Sequence, residues 1–530
     1  MKTSSGPGAT PANTVIVVGS GAAGFAAAIA AADAGANVVL LESTGTVGGT
    51  TAMSGGVAWI PGGPRTTALG FEDDRERALT YLRGLALGDF DEPLVVRFVD
   101  EGPSVLDAVE RTTPIRWRAL AYPDYHAPMP GGSEGGRSFE PDPIALPEEH
   151  ASLVRQPASW RIRATQDELI RGTFDREVGA QRERDGIQTM GRALSTGQLL
   201  GALAAGVDVR VGQRVTRLET HAGRVIGVET TGGALRGRVV LASGGFERDE
   251  SLRVAFLRAP VTSLTGGPGA CGDGLRMAMS VGADLGNMSE AWWAPTIRLP
   301  GASVDGQPLD FLLLSERGRP GTLMVDRDGR RFCNEAQNYN DVGRALHAFD
   351  PGGFRFVRDP SWLIVDETYR ARFPIGPVMP GEDGPATWVH ADSAKELAIG
   401  MDMDPDVLEA TLERYSRAAA DGHDPDHGRG VSAYDRFVGD RSAEHPNLRP
   451  LAGRLTAVPV HAGTLGTKGG PRTDADGRVR HQDGGVIPGL YAAGNAAASP
   501  FGLLYPGAGG TIGQALVFGH LAGLAAAHDD

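Results

Sequence analysis

The sequence predicts an α/β chain in which a parallel-sheet domain is split in sequence by a second, inserted α+β domain. Three observations carry this. A strand–helix–strand unit opens the chain; strand, glycine-rich loop and helix return at its end; and between about 293 and 447 prolines and aromatics rise. At 530 residues the chain is too long for one core, so two domains are expected.

Thr14–Val18 is β-branched and runs into glycine, which reads as a buried strand. Ala22–Ala34 is an alanine-rich helix, and Asn37–Leu41 a second buried strand ending in Glu42. Together they make a βαβ unit of about 30 residues. Val207–Thr220 and Arg224–Thr230 read as strands around a turn at His221–Gly223, and Val239–Ala242 as a short buried strand. His126–Pro147 is rich in Pro and Gly and reads as surface loop. Val407–Ala420 has helical amphipathic spacing. The expected division is a disordered leader over 1–13, one domain over 14–292 and 448–530, and the inserted domain over 293–447.

Composition removes several function classes. A net charge of -14 argues against a nucleic-acid partner, which needs a basic stripe. Cys271 and Cys333 are the only cysteines and form no CxxC pair, so no metal site or iron–sulfur cluster is expected. The N-terminal stretch lacks an apolar signal core, and no run of about 18 apolar residues occurs. A cytoplasmic protein without a membrane span is the resulting expectation. Lysine is nearly absent and arginine carries the positive charge, which reads as compositional bias rather than chemistry.

The chemistry begins at Gly19, Gly21 and Gly24, a GxGxxG placed directly after a strand and at the start of a helix. The first glycine permits the tight turn, the second lets backbone approach a pyrophosphate, and the third allows close helix–strand packing. The helix N-terminus then offers free N–H groups to phosphate. Glu42, at the end of the second strand, sits near the offset of a carboxylate that binds ribose hydroxyls. Gly489–Asn495 reads as a strand running into Gly494, and Thr511–Ala515 opens the last helix. That pairing favours FAD over NAD, because the positive end of a helix would stabilise an anionic reduced flavin. No second convincing GxGxxG exists for a separate NAD(P) domain.

VIVVGSGAAG, GGTTAMSGG (48–56), ACGDGLRMA (270–278) and GLYAAGN (489–495) resemble the fumarate reductase-type flavoproteins over nearly the whole chain. That resemblance implies a Rossmann-like FAD-binding domain, split in sequence, with an inserted substrate-capping domain. YPDYH (122–126), GRRFCNEAQNY (329–339) and LLYPGAGGTIG (503–513) narrow it: together they resemble 3-ketosteroid Δ1-dehydrogenases. Tyr339 stands near the place where fumarate-type reductases carry an arginine proton donor. Gly507 stands where the related Δ4-(5α)-dehydrogenases carry serine. The stretch from about 129 to 185 is longer than in a typical member.

The resemblance implies removal of hydrogens from C1 and C2 of a 3-ketosteroid A ring. Tyr505 and the Gly509 N–H would polarise the carbonyl, Tyr339 would take the C2 proton, and Tyr125 would relay it. The FAD site would comprise Gly19, Ser20, Gly21, Ala22, Ala23 and Gly24; Glu42 and Ser43; Gly48, Gly49, Thr50 and Thr51; and Ser54, Gly55 and Gly56. Val215, Gly244, Asp273, Gly494, Asn495, Gly510 and Ile512 would complete it. An external electron acceptor would reoxidise the flavin, and contact with membrane would be at most peripheral. The alternative is an FAD-dependent dehydrogenase or ene-reductase acting on another ketosteroid position or cyclic ketone. Trp292, Trp293, Phe311 and Phe332 suit either a steroid pocket or the core. His126 with Asp124 reads as a surface pair, Glu335 as structural, and Cys333 as a buried thiol.

Overall fold

The computed structural model describes residues 13–156 and 162–529. Its first sheet has six strands, ordered Arg478–Arg480, Val486–Ala492, Arg238–Leu241, Thr14–Val18, Asn37–Leu41 and Asp208–Arg210. All neighbours are parallel except Arg478–Arg480, which is antiparallel at the edge. Val15, Ile16 and Val17 are wholly buried, as expected for strands covered on both faces. Val18 pairs in register with both Leu41 and Leu241. Three strand ends are therefore level, and the loops after them share one edge of the sheet. That is where open α/β sheets bind ligands.

Helix Ala22–Asp33 packs against the last helix, Gly510–His528. Small residues make this possible: a Cβ on Gly519 or Gly523 would sit 2.4 Å from the Ala23 carbonyl oxygen or 2.2 Å from that of Ala27. Gly510–His528 is long and apolar enough to cross a membrane, contrary to the sequence expectation, but most of it is buried within the fold.

The second sheet is built on the 13-residue strand Leu455–Thr467. It pairs with Ala291–Ile297 on one side and Ser361–Asp366 on the other, and with the short strands Ser263–Leu264 and Val389–Ala391. The expected joins at 292/293 and 447/448 cut across this sheet, since Ala291 and residues 455–467 belong to it. Pro459, Gly463 and Gly466 mask the strand locally; burial along nearly its whole length decides it.

Other local readings need correction. Residues 207–220 form two strands rather than one: Asp208–Arg210 in the first sheet and Val215–His221 in a separate antiparallel sheet. His126–Pro147 is not all surface loop. It contains the fully buried strand Ser138–Pro141, and buried Arg137 is neutralised by Asp73 and Asp124 at 2.6 and 2.7 Å. Of the leader, residues 1–12 lie outside the described residues. Asn13 is tied in: its carbonyl accepts from the Asn37 N–H at 3.0 Å and its side chain from Arg238 at 2.6 Å. Helix Pro405–Ala420 includes the expected amphipathic segment.

Candidate active site

A cavity of about 620 Å³ runs along the C-terminal edge of the first sheet and under the second. Its nucleotide end is mostly backbone. Gly19 has a φ of 104°, and a Cβ there would press on the Ala242 carbonyl at 2.5 Å. Gly21 caps helix Ala22–Asp33 with no side-chain hydrogen bond, leaving the helix end open toward the cavity. The Ala22 N–H donates to Thr51 Oγ1 at 3.1 Å, which joins the first glycine turn to the second glycine-rich run. Glu42 is buried and accepts from the Ser20 hydroxyl at 2.6 Å and from the Thr44 N–H at 2.8 Å. Asp273 lines the same end and is paired with Arg214 at 2.7 Å.

The cavity wall includes Ser20, Ala23, Ser43, Gly49, Thr50, Ser54, Gly55 and Gly56. It also includes Val215, Gly244, Gly494, Asn495 and Ile512. Three expected residues lie behind it. Gly24 meets the Gly19 carbonyl, where a Cβ would be 1.9 Å away, the packing role read from the motif. Gly48 packs on Ala52 and Ser195, and Gly510 on the Tyr505 ring. Both act through close packing rather than contact with the cavity.

The sequence reading missed Glu247. It lines the cavity, is 1% exposed, and its Oε2 has no hydrogen-bond partner among the described residues. Burial pushes its carboxyl up to about 7. Within the charged run Glu247–Glu250 nothing in the sequence singles out the buried acid. An open helix end, backbone that a Cβ would fill, and a buried carboxyl with one oxygen free of hydrogen bonds among the described residues fit a flavin dinucleotide along this end.

The other end is phenolic. Tyr125, Tyr339 and Tyr505 come from three distant segments and form a triangle, with ring centroids 5.5, 5.2 and 5.6 Å apart in T-shaped contact. All three line the cavity. Tyr339 interacts with both Tyr125 and Tyr505, and the Tyr505 hydroxyl lies 3.4 Å from Thr511 Oγ1. Tyr122 and Tyr434 extend the cluster, Tyr434 lying 5.1 Å from Tyr125. Tyr434 was not anticipated; it stands alone in a loop-to-helix boundary. Burial pushes Tyr125 and Tyr339 well above the usual phenol value and Tyr505 above it, while the bond from Tyr125 pulls Tyr339 back toward it.

Each phenol is held by its own support. The Tyr125 N–H and the Tyr81 hydroxyl both donate to the Pro506 carbonyl, at 3.1 and 2.6 Å, which locks the Tyr125 loop to the Tyr505 loop. Asp124 is not part of a surface pair: it is buried and accepts from the Trp59 indole and Arg137. His126 instead meets Asp341 at 3.1 Å, in the first turn of the helix Tyr339–Ala345. Asn338 caps that helix by accepting from the Asp341 N–H at 3.0 Å. Gly509, with a φ of 99°, caps the last helix, and its N–H makes no hydrogen bond among the described residues.

The remaining candidates sort by burial. Phe311 lines the cavity, Trp292 packs on Tyr505 at 4.7 Å, Trp293 is core, and Phe332 lies beneath Arg358. Glu335 is fully buried between Arg331 and Arg429, a structural role. Burial pushes the Cys333 thiol up to about 12, which makes it inert. Of the long 129–185 stretch, residues 157–161 lie outside the described residues; Ile162, Gln166 and Leu169 add to the cavity wall.

The family model for an FAD binding domain matches residues 14–512. The chain belongs to that flavoprotein family. The flavoprotein is 38% identical to 4-oxocyclohexanecarboxylate 2-dehydrogenase of Sinomonas cyclohexanicum, over 98% of this chain and 95% of that protein. It is 37% identical to 3-oxosteroid 1-dehydrogenase of Mycobacterium tuberculosis, over 96% and 97% respectively. The solved 3-ketosteroid delta1-dehydrogenase of Sterolibacterium denitrificans, in complex with 1,4-androstadiene-3,17-dione, superposes with a TM-score of 0.90. That likeness is 31% in identity and covers 98% of this flavoprotein and all of the other chain. The expected α/β fold, the FAD cofactor and the resemblance to 3-ketosteroid Δ1-dehydrogenases are borne out.

Proposed function

We propose that this flavoprotein is a 3-ketosteroid Δ1-dehydrogenase, taking a hydride from C1 and a proton from C2 of the A ring. The observation that carries this is the triangle of Tyr125, Tyr339 and Tyr505 on the wall of the cavity that fits FAD, beside the free Gly509 N–H. The C2 proton becomes acidic only when the adjacent C3 carbonyl is polarised toward an enolate. Carbonyl oxygen and C2 proton are neighbours on the substrate, and Tyr505 and Tyr339 are neighbours in the protein. Tyr505 O–H and the Gly509 N–H hold the oxygen, Tyr339 removes the proton, and Tyr125 donates to Tyr339 and carries the proton onward. When bound, FAD supplies the two-electron acceptor for the hydride. An external acceptor then reoxidises it.

A second reading has support in the 38% identity to an enzyme named for 4-oxocyclohexanecarboxylate, since the same chemistry suits a single keto ring. Such a substrate is anionic and needs a cation. Among the described cavity-lining residues the one cation is Arg155, which is paired with Asp305 and donates to Thr44 at the nucleotide end. Glu316 and Asp310, by contrast, put acids on the wall of the same cavity. That favours the uncharged steroid.

The test is anaerobic mixing of the FAD-loaded protein with 4-androstene-3,17-dione while flavin absorbance is followed. Bleaching with a 1,4-diene product is expected. Bleaching by 4-oxocyclohexanecarboxylate alone overturns the steroid reading, and no bleaching by either leaves a flavoprotein of other specificity.

A further inference from the structure

Lysine occurs at only three positions, Lys2, Lys395 and Lys468, against 51 Lys and Arg together. Lys468 is wholly buried. Its Nζ donates to the carbonyls of Gly502 at 3.0 Å, Leu503 at 3.2 Å and Leu504 at 2.8 Å. These are the three residues before Tyr505. Three acceptors converging on one point match the three donors of an ammonium group, and a neutral amine has only two. Burial pulls this amine well below its usual value, Arg344 and Arg258 add to that pull, and Glu290 and Asp341 oppose it. A planar guanidinium does not converge three bonds from one loop onto a point, which explains a lysine in a chain that otherwise uses arginine.

The same Nζ sits 4.2 Å from the centre of the Trp292 ring, and Trp292 packs on the Tyr505 ring at 4.7 Å. The Trp292 indole N–H donates to Asn495 on the cavity wall at 3.1 Å. The backbone of Lys468 is anchored as well: its N–H donates to the Glu290 carbonyl and its carbonyl accepts from the Ser499 N–H, both at 2.9 Å. Arg344, on the helix that begins with Tyr339, donates to the Leu503 carbonyl at 3.0 Å. We propose that Lys468 is a positioning residue for Tyr505: it ties down the Gly502–Leu504 loop from one side and seats Trp292 on the phenol from the other. As a statement about catalysis this rests on the proposed dehydrogenase function.

The test is a double-mutant cycle in the FAD-loaded enzyme. Lys468→Met should lower kcat for a 3-ketosteroid by about 100-fold, the cost of a small misplacement at a catalytic group. KM should stay within about a factor of three. In a Tyr505→Phe background the same change should cost less than about twofold more, because its effect passes through the phenol. Losses that multiply overturn the proposal, as does wild-type turnover in Tyr505→Phe. If Lys468→Met fails to hold FAD, Trp292→Phe takes its place, keeping a ring on Tyr505 while removing the indole N–H; the same loss of additivity is expected.

A readout without turnover separates this from the function itself. Holoenzyme labelled with 3-fluorotyrosine carries nine fluorine lines, one per tyrosine. The Tyr505 line, assigned by Tyr505→Phe, should shift or broaden in Lys468→Met while that of Tyr369, in the second sheet's core, stays put. An unmoved Tyr505 line overturns the positioning role. If the wild type fails to turn over 3-ketosteroids, the functional reading falls and the fluorine spectrum alone decides for Lys468.

Discussion

The two ends of the cavity are assembled by opposite strategies. At the nucleotide end, short contiguous runs do the work: Gly19–Ala23, Glu42–Ser43 and Gly49–Gly56 lie within 40 residues of one another and present mainly backbone. At the phenolic end, Tyr125, Tyr339, Tyr434 and Tyr505 come from segments separated by 71 to 214 residues, and only tertiary packing brings their rings within about 6 Å. The first end depends on what is missing, a Cβ or a capping side chain. The second depends on what is present, a hydroxyl at each corner. Damage to one end should therefore appear as lost cofactor and damage to the other as lost rate.

The sharpest way to break that contrast is Tyr339→Phe. Loss of a general base typically costs about 100- to 10,000-fold, and the upper part of that range is expected because neighbouring Tyr125 needs Tyr339 to reach the substrate. FAD content, read from absorbance, should be unchanged. Wild-type turnover would remove Tyr339 as the base. Tyr505→Phe should cost about 100- to 1000-fold in kcat, the usual price of one oxyanion donor. A smaller loss would place the polarising work on Gly509 alone. Gly21→Val tests the opposite end: a Cβ there would meet only Thr51 Oγ1, at 3.7 Å, so the chain should fold and FAD should bind weakly. The rate per bound flavin, measured after reconstitution at high FAD, should be near wild type. If that rate falls as far as in Tyr505→Phe, the two ends are not separable.

The pH response probes the phenolic end alone. Burial raises Tyr339, and a base works deprotonated, so its active fraction is small at neutral pH and grows about tenfold per unit below its pKa. Single-turnover flavin reduction should rise from pH 7 to pH 10 without a plateau. A plateau near neutrality would mean that another group takes the proton.

The same contrast explains what the sequence disclosed. The βαβ unit was placed within a residue because β-branched strands, an alanine-rich helix and glycine punctuation agree locally. Tyr125, Tyr339 and Tyr505 were found through motif resemblance, not periodicity. Tyr434, with no motif around it, stayed hidden although it packs as closely as the others. Strand Leu455–Thr467 was missed because its stability comes from neighbours on both sides, which no local pattern reports. Glu247 and Lys468 were missed for a related reason. The meaning of each lies in its burial, and burial of one residue leaves no period to read. Lys468 stands apart from the compositional bias toward arginine, since it is matched to its three carbonyls.

The clasp between Ala22–Asp33 and Gly510–His528 has a consequence in time rather than space. The glycine turn and the helix that backs it stand far apart in the sequence, at Gly19–Gly24 and Gly510–His528. Contacts between such distant segments form slowly. The alanine-rich helix, with a face shaped for Gly519 and Gly523, stays uncovered until both segments have met. A nucleotide end that is legible in one short run of sequence is therefore completed only by a long-range contact.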